Sequence, residues 1–176
     1  PALPKSDRAE ADQSTDAGPL PVPVSVSGSI SKPGEGDVYT FTAKKGEYYL
    51  IRVESFQHRT QMDPVLTVTR PNGKLLKTID DVKKSPDPEY VLKAIEDGLY
   101  RLSIQERFIA RHGPDYLYRL VIKKPVAGYT ALADKDAYSV KAGETATLTV
   151  KLTRLHGHKA TLLASVSGLP PTVSYE

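Results

Sequence analysis

The fold class is decided by one stretch, Gly36-Asp37-Val38-Tyr39-Thr40-Phe41-Thr42-Ala43-Lys44-Lys45-Gly46-Glu47-Tyr48-Tyr49-Leu50-Ile51-Arg52-Val53. On both sides of the Lys44-Lys45-Gly46 turn, β-branched and aromatic residues alternate with a period of two. This alternation is typical of half-buried antiparallel strands. Gly46 can adopt the positive φ that a tight turn needs. The stretch therefore predicts a β-hairpin.

The same alternation recurs on both sides of this hairpin. Further strands are predicted at residues 22–30, 64–70, 75–79, 89–96, 99–105 and 116–122. Strong turn signals separate some of them, notably Pro71-Asn72-Gly73-Lys74 and Asp97-Gly98. Eight strands with one apolar face each predict an antiparallel β-sandwich over residues 22–124. The residues predicted to form its core are Tyr39, Phe41, Ile51, Val53, Leu66, Val68, Leu102, Ile104, Leu120 and Ile122.

Two further parts flank the predicted sandwich. Residues 1–21 are rich in Pro, Ala, Ser and Asp and show no periodicity, which predicts a linker. After residue 124 the pattern predicts three strands, at residues 138–140, 145–152 and 160–166. Three strands are too few for an independent sandwich core. We therefore interpret residues 125–176 as a partial, truncated β domain.

Composition narrows the classes of function. The 176 residues include 24 basic and 21 acidic side chains, a formal charge of +3, and no cysteine. This narrow basic excess does not predict nucleic-acid binding, and the lack of cysteine excludes a disulfide framework. No run of about 18 apolar residues occurs, so we expect no membrane insertion. The chain begins at Pro1 without a signal-peptide pattern, which we interpret as a piece of a longer polypeptide.

The sequence lacks several common catalytic motifs, each of which is recognised by the spacing of its residues. The sequence contains no G-x-S-x-G elbow, H-E-x-x-H zinc motif, phosphate-binding loop or dinucleotide glycine pattern. His156 and His158 flank Gly157 with no third ligand nearby, so a solvated turn is the favoured interpretation. We therefore predict no catalytic residues and no enzyme activity.

The acidic loop at residues 80–88 is a candidate calcium site. Asp80, Asp81 and Asp87 offer carboxylate oxygens, and Asp63 is a further donor. Calcium is bound by about six to eight oxygen ligands. Lys83 and Lys84 in the same loop would neutralise part of this negative charge. The favoured interpretation is therefore that these aspartates bind nearby backbone amides in turns, which is a common role of Asp.

Two other loops are candidate recognition surfaces. Residues 54–63 and 106–114 combine aromatic and cationic side chains, as interfaces often do. The candidate ligand-binding residues are Arg59, Arg107, Phe108 and Arg111. For Phe56, Phe108 and Ile109 the favoured interpretation is that they fold back as plugs over the end of the sandwich, whereas for the three arginines both roles stay open.

The order of the strands, counted as odd or even along the chain, predicts at which end of the sandwich each loop lies. If the eight strands run alternately up and down, the longer loops gather at one end and the short turns close the other. The longer loops are residues 31–36, 54–63, 80–88 and 106–114. Because binding residues are concentrated on loops carried by a rigid scaffold, any ligand site is expected at that end.

An ordered series of short motifs resembles a known family. The motifs are Gly28-x-Ile30, Gly36-Asp37-x-Tyr39-x-Phe41, Lys45-Gly46, Asp63-Pro64-x-Leu66, Asn72-Gly73-Lys74-Leu75, Asp80-Asp81, Asp97-Gly98-x-Tyr100 and Tyr118-Arg119-Leu120. Over residues 22–123 their order and spacing resemble the bacterial pre-peptidase C-terminal domain. The stretch from Ala142-Gly143-Glu144 to Gly168-Leu169-Pro170 resembles the start of an immunoglobulin-like repeat.

The resemblance implies a jelly-roll-like sandwich that is secreted or carried at the cell surface and has no catalytic activity. It also implies calcium, collagen-like polymers or carbohydrates as ligands of some members. The expected function is a non-catalytic, monomeric accessory module that binds a glycan, a collagen-like polymer or a neighbouring domain. Two alternatives stay open: a structural spacer or secretion-associated domain without a ligand, and the non-catalytic C-terminal part of a secreted protease.

Overall fold

A computed structural model of the chain describes residues 7–8, 18–82 and 85–175. The strands in these ranges are β1 (Asp7–Arg8), β2 (Val24–Ser29), β3 (Gly36–Ala43), β4 (Tyr48–Glu54), β5 (Pro64–Thr69), β6 (Leu75–Ile79), β7 (Glu89–Lys93), β8 (Gly98–Glu106), β9 (Leu117–Lys123), β10 (Gly128–Ala133) and β11 (Val150–Leu155). One 3-10 turn, Phe56–His58, follows β4. The predicted all-β class is therefore confirmed.

The chain divides into two units, Pro1–Val126 and Ala127–Glu176. The first unit contains two sheets, with strand orders β1-β2-β9-β4-β7 and β3-β8-β5-β6. All strand pairs in these sheets are antiparallel except the parallel pair β1 and β2. Their apolar faces form one buried cluster, so the first unit is a β-sandwich.

The predicted hairpin at residues 36–53 is wrong. β3 pairs with β8, whereas β4 pairs with β7 and β9, so the two strands lie in different sheets. The turn between them crosses from one sheet to the other, and Gly46 N–H donates to the Ala94 carbonyl. Phe41 and Tyr49 then meet across the core with ring centroids 5.3 Å apart. Period-two alternation defines the inward face of each strand, but it does not define the strand's partner.

The predicted core is confirmed. All ten residues that the alternation assigned to the interior are buried. Leu20 is also buried, although the composition of residues 1–21 predicted a linker there. Its N–H donates to the Thr40 carbonyl at 2.7 Å. Residues 1–6 and 9–17 lie outside the described residues, so the linker prediction for them stays a prediction.

Leu102→Ala tests the packing of this core. Leu102 is fully buried at the centre of β8, whereas Leu99 in the same strand is 49% exposed. We expect Leu102→Ala to lower the free energy of unfolding by about 2–5 kcal/mol in urea denaturation, because it leaves a cavity. Leu99→Ala is the matched control and should lower the free energy of unfolding far less. Equal decreases for the two variants would contradict the packing described.

A buried polar cluster joins the two sheets. The Tyr118 hydroxyl in β9 donates to a carboxylate oxygen of Asp37 in β3 and lies 2.7 Å from the Tyr39 hydroxyl. Burial, followed by the nearby Tyr39 and Asp37, raises the pKa of Tyr118, so its hydroxyl keeps its proton. Gly28 lies opposite Tyr118 in the β2–β9 ladder. A Cβ at Gly28 would lie only 2.4 Å from the Tyr118 ring, so the position requires glycine.

Gly28→Ala tests this close approach. We expect it to lower the free energy of unfolding by about 1–3 kcal/mol, because the added methyl group must displace a buried ring whose hydroxyl is hydrogen-bonded to Asp37. In a Tyr118→Ala background the added methyl group meets no ring, so the loss should nearly vanish. Urea unfolding of the four proteins gives the coupling between the two positions. Equal losses in both backgrounds would show that the ring does not limit position 28.

The second unit departs from its predicted strands. β10 pairs with β11 in an antiparallel ladder from Gly128↔Leu155 to Ala133↔Val150. Strands at residues 138–140 and 160–166 are absent, and the predicted strand at 145–152 is displaced to Val150–Leu155. None of the described residues 127–175 is buried, so their alternating apolar residues face no core within the unit. Its immunoglobulin-like character stays a prediction.

Candidate functional site

Four connections of the first unit meet at one end, here called the loop-rich end: residues 30–35, 55–63, 107–116 and the described parts of the β6–β7 connection, 80–82 and 85–88. Gly34 N–H donates to the Ile109 carbonyl at 2.9 Å. Arg107 N–H donates to the Asp63 carbonyl at 2.9 Å, and the Arg107 guanidinium lies 2.7 Å from Asp80. These contacts join all four loops, as strand parity predicts.

The short turns meet at the opposite end. Lys45 N–H donates to the Asp97 carboxylate at 2.6 Å, which joins the β3–β4 and β7–β8 turns. Gly98 approaches Pro71 so closely that an added Cβ would lie 2.9 Å from it. The predicted separation of short turns from longer loops is therefore confirmed.

Three carboxylates cluster at the loop-rich end. Asp63, Asp80 and Asp81 each offer a carboxylate oxygen, and these atoms lie within 4.8 Å of one another. One oxygen of Asp63 and one of Asp80 are buried, and the described residues offer neither a hydrogen-bond donor. Burial and then the nearby Asp80 raise the pKa of Asp63. Arg107 bridges the other two, 2.7 Å from Asp80 and 3.6 Å from Asp81.

Asp87 lies apart from this cluster, although its sequence position suggested a shared metal site with Asp80 and Asp81. It is buried, and its carboxylate accepts the backbone N–H groups of Ser55 at 3.0 Å and Phe56 at 2.8 Å. A carboxylate held by backbone amides in this way caps the start of the 3-10 turn. The turn-capping alternative therefore describes Asp87, and Asp63 takes its place in the cluster.

The cluster suits calcium in its donor chemistry. Three aspartates supply up to about six of the hard oxygen ligands that calcium takes. Calcium at Asp63, Asp80 and Asp81 stays a prediction.

The plug interpretation of the loop residues is wrong. Phe56 is 62% exposed, Phe108 is 46% exposed and Ile109 is 74% exposed, so none of them covers the core. Ile30 and Met62, which are buried members of the core cluster, lie at this end instead. The exposed side chains are thus available to a partner.

Two of the predicted ligand-binding residues form a stacked pair. The Arg111 guanidinium lies 4.1 Å from the centroid of the Phe108 ring, and that of Arg107 lies 5.8 Å from it. Arg59 is exposed at the end of the 3-10 turn, with a φ of 59°. No ion pair or ring contact joins Arg59 to this group within the described part of the chain. The structure therefore brings together Arg107, Phe108 and Arg111 but not Arg59.

A cleft that the sequence pattern did not predict includes Phe56 of the 3-10 turn in its lining. It has a volume of about 400 Å³ and is lined by Phe56 and Asp87 together with Arg52 and Glu89. The Arg52 guanidinium donates to the Glu89 carboxylate, because the β4–β7 ladder places the two residues opposite each other. The only signal in the sequence was their opposite charge, which becomes informative once the strand pairing is known.

Comparisons with known proteins assign no function. No family model matches the sequence, and no curated protein matches it. Among solved structures, the pre-peptidase C-terminal domain of a collagenase from Bacillus anthracis is similar, with 15% sequence identity and a TM-score of 0.47. The match covers 70% of this chain and 100% of that domain. Similarity at this level supports no argument about function, and membership of that family stays a prediction.

The described residues contain no helix long and apolar enough to cross a membrane.

Asp63→Asn tests the electrostatics of the cluster. A raised pKa means that the folded state binds this proton more tightly than the unfolded chain does, so ionised Asp63 destabilises the fold. In the presence of a chelator, we expect Asp63→Asn to melt at a higher temperature than the wild type at pH 7. The gain should shrink as the pH falls through the folded pKa of Asp63, because the wild-type carboxylate then takes up its proton.

Calorimetric melting between pH 7 and pH 3 measures this difference. Asp115→Asn is the matched control, since Asp115 is exposed and lies outside the cluster. A gain that is independent of pH, or a lower melting temperature at pH 7, would contradict the stated origin of the shift.

Proposed function

We propose that the chain is a non-catalytic extracellular accessory module of a larger secreted or surface protein, and that its loop-rich end binds an extended polymer of the glycan or collagen-like kind. The observation that supports this proposal is the exposed Phe108 ring stacked against the Arg111 guanidinium. The absence of the catalytic motifs sought in the sequence agrees with a binding role.

The stacked pair combines two kinds of contact. The exposed part of the Phe108 ring offers apolar surface to a sugar ring or a proline ring, and the planar guanidinium of Arg111 offers several N–H donors to hydroxyl or carbonyl oxygens. Aromatic residues and arginine are enriched at interfaces. Ile109, which is exposed beside them, extends the apolar area.

The backbone that carries this pair is held in place. Phe108 N–H donates to the buried Glu106 carboxylate at 3.3 Å, and the second oxygen of Glu106 accepts the Asp63 N–H at 2.8 Å. Arg111 N–H donates to the Phe108 carbonyl at 2.7 Å. A loop ordered before binding loses less conformational entropy when a ligand arrives. These contacts therefore favour a preformed recognition surface.

A binding screen tests the proposal. The full chain is applied to immobilised glycans and to triple-helical collagen-like peptides, and saturable binding is measured by surface plasmon resonance. We expect Phe108→Ala and Arg111→Ala each to weaken binding by roughly tenfold or more, as truncation of a central contact does. The controls are Leu75→Ala and Arg101→Ala, which remove one exposed apolar and one exposed cationic side chain outside the loop-rich end.

The outcomes separate the proposal from its alternatives. Binding that survives both loop variants would place the site elsewhere on the module. Silence across the whole screen would favour a spacer or secretion-associated domain without a ligand. A non-catalytic part of a secreted protease is a variant of the proposed role, in which the bound polymer is the substrate of the attached enzyme.

A further inference from the structure

We infer that the open edge of β7 pairs with β7 of a second copy of this chain, in an antiparallel ladder centred on Val91, and that the chain therefore forms a dimer. This inference departs from the monomer expected from the sequence. It concerns the sheet edge alone and does not rest on polymer binding at Phe108 and Arg111.

Three of the four edge strands in the first unit are protected from such pairing. Among the described residues, the edges are β1, β3, β6 and β7. β1 is only two residues long, and Leu20 forms a parallel bridge along β3. The β5–β6 ladder contains a bulge after Val68, and Lys77 of β6 lies opposite that buried valine, on the core-facing side. Short edges, covered edges, bulges and core-facing charges all hinder the addition of another strand.

β7 has none of these four features. It pairs with β4 in unbroken register, from Lys93 opposite Tyr48 to Glu89 opposite Arg52. Within the described part of the chain, no strand lies on its other side. Its two charged residues, Glu89 and Lys93, lie on the outer face and have opposite signs. Like charges on an edge would repel a second copy, whereas these can attract one.

The backbone groups of β7 alternate between β4 and the open side. Val53 N–H donates to the Pro88 carbonyl at 3.0 Å, and Ala94 N–H donates to the Glu47 carbonyl at 2.9 Å. In an antiparallel ladder every second residue bonds the same neighbouring strand, so the even-numbered residues from 88 to 94 bond β4. The odd-numbered residues therefore direct their N–H and C=O groups toward the open side. They are Glu89, Val91 and Lys93.

The register centred on Val91 pairs the whole of β7 with its copy. When Val91 lies opposite Val91 of the second copy about a two-fold axis, all three odd-numbered residues form hydrogen-bonded pairs. Glu89 then lies opposite Lys93 of the second copy at both ends of the ladder. On the core-facing side, Tyr90 lies opposite Leu92 of the second copy, which continues the apolar face. The edge is thus complementary to itself in its backbone groups, charges and apolar residues.

The size and direction of this ladder define the dimer. β7 has five residues, and a ladder of that length is smaller than a standard interface, which buries roughly 1,200–2,000 Å². We therefore expect a weak dimer that forms as the concentration rises. Because the two copies of β7 run antiparallel, the two loop-rich ends lie at opposite ends of the dimer.

A pair of charge reversals tests the register. The association of the full chain is measured by sedimentation equilibrium up to millimolar concentrations. Lys93→Glu places two glutamates opposite each other in the homodimer, and Glu89→Lys places two lysines opposite each other. We expect each variant alone to associate roughly tenfold more weakly than the wild type or less still. An equimolar mixture of the two variants should associate again, because opposite charges then meet at both ends of the ladder.

A disulfide tests the centre of the ladder. The chain contains no cysteine, so Val91→Cys carries a single thiol. Hydrogen-bonded pairs on antiparallel strands place their Cα atoms about 5.5 Å apart, within the range of about 4.4–6.8 Å that a disulfide spans. Under mild oxidation we expect Val91→Cys to form a covalent dimer on a non-reducing gel. Thr78→Cys, exposed on the β6 edge, is the matched control and should form far less.

Three results would overturn the inference. A wild-type chain that stays monomeric at millimolar concentration would leave the β7 edge to an extended segment of another protein. A mixture of Lys93→Glu and Glu89→Lys that associates no better than either variant alone would contradict the register. Equal disulfide yields from Val91→Cys and Thr78→Cys would reflect random collision. If Glu89→Lys does not fold beside Arg52, the wild-type association and the disulfide comparison decide.

Discussion

The hydrogen bonds of one buried tyrosine constrain how the two sheets face each other. Tyr118 in one sheet donates to Asp37 and contacts the hydroxyl of Tyr39 in the other sheet, and Gly28 leaves room for its ring. A sliding movement between the sheets would leave buried polar groups without partners, at a cost that packing alone would not impose. Asp37 and Tyr118 are each the second residue of a strand that leaves the loop-rich end, so this constraint also positions the loops.

Local pattern predicted the strands and their inward faces, but it could not predict their partners. Period-two alternation assigned Phe41 and Ile51 to the core correctly, because the face of a residue depends only on its neighbours in sequence. The turn after β3 is equally compatible with a hairpin and with a crossing between sheets. Only the inter-sheet packing, such as that of Phe41 on Tyr49, decides between them. In the second unit the same alternation has no core to face. Two of the three strands predicted there are absent, and the third is displaced.

The end of the sandwich at which each loop lies was predictable, because it follows from the alternating direction of successive strands. The hydrogen bonds between site side chains and distant backbone N–H groups were not predictable from the sequence. Parity brought Arg107 and Asp80 to the same end of the sandwich. Asp87 is only a few residues from Asp80, yet its carboxylate binds amides of Ser55 and Phe56 that only the folded chain brings near. Whether an aromatic loop residue covers the core likewise depends on which other apolar side chains reach the same end of the sandwich. Here Met62 is buried at that end, and Phe108 is exposed.

The carboxylates at the loop-rich end fall into two physical classes. Asp87 and Glu106 are buried and held by backbone N–H groups, which fixes the loops in the folded state. Asp80 and Asp81 are instead partly exposed and paired with the side chain of Arg107. Because Arg107 lies 5.8 Å from the Phe108 ring, its release from the cluster would alter the charge beside the proposed binding surface. The Arg107–Asp80 ion pair and ligand binding would then be linked, and any such coupling must be reciprocal: a ligand that draws Arg107 toward itself would weaken the ion pair by the same factor by which the ion pair weakens the ligand.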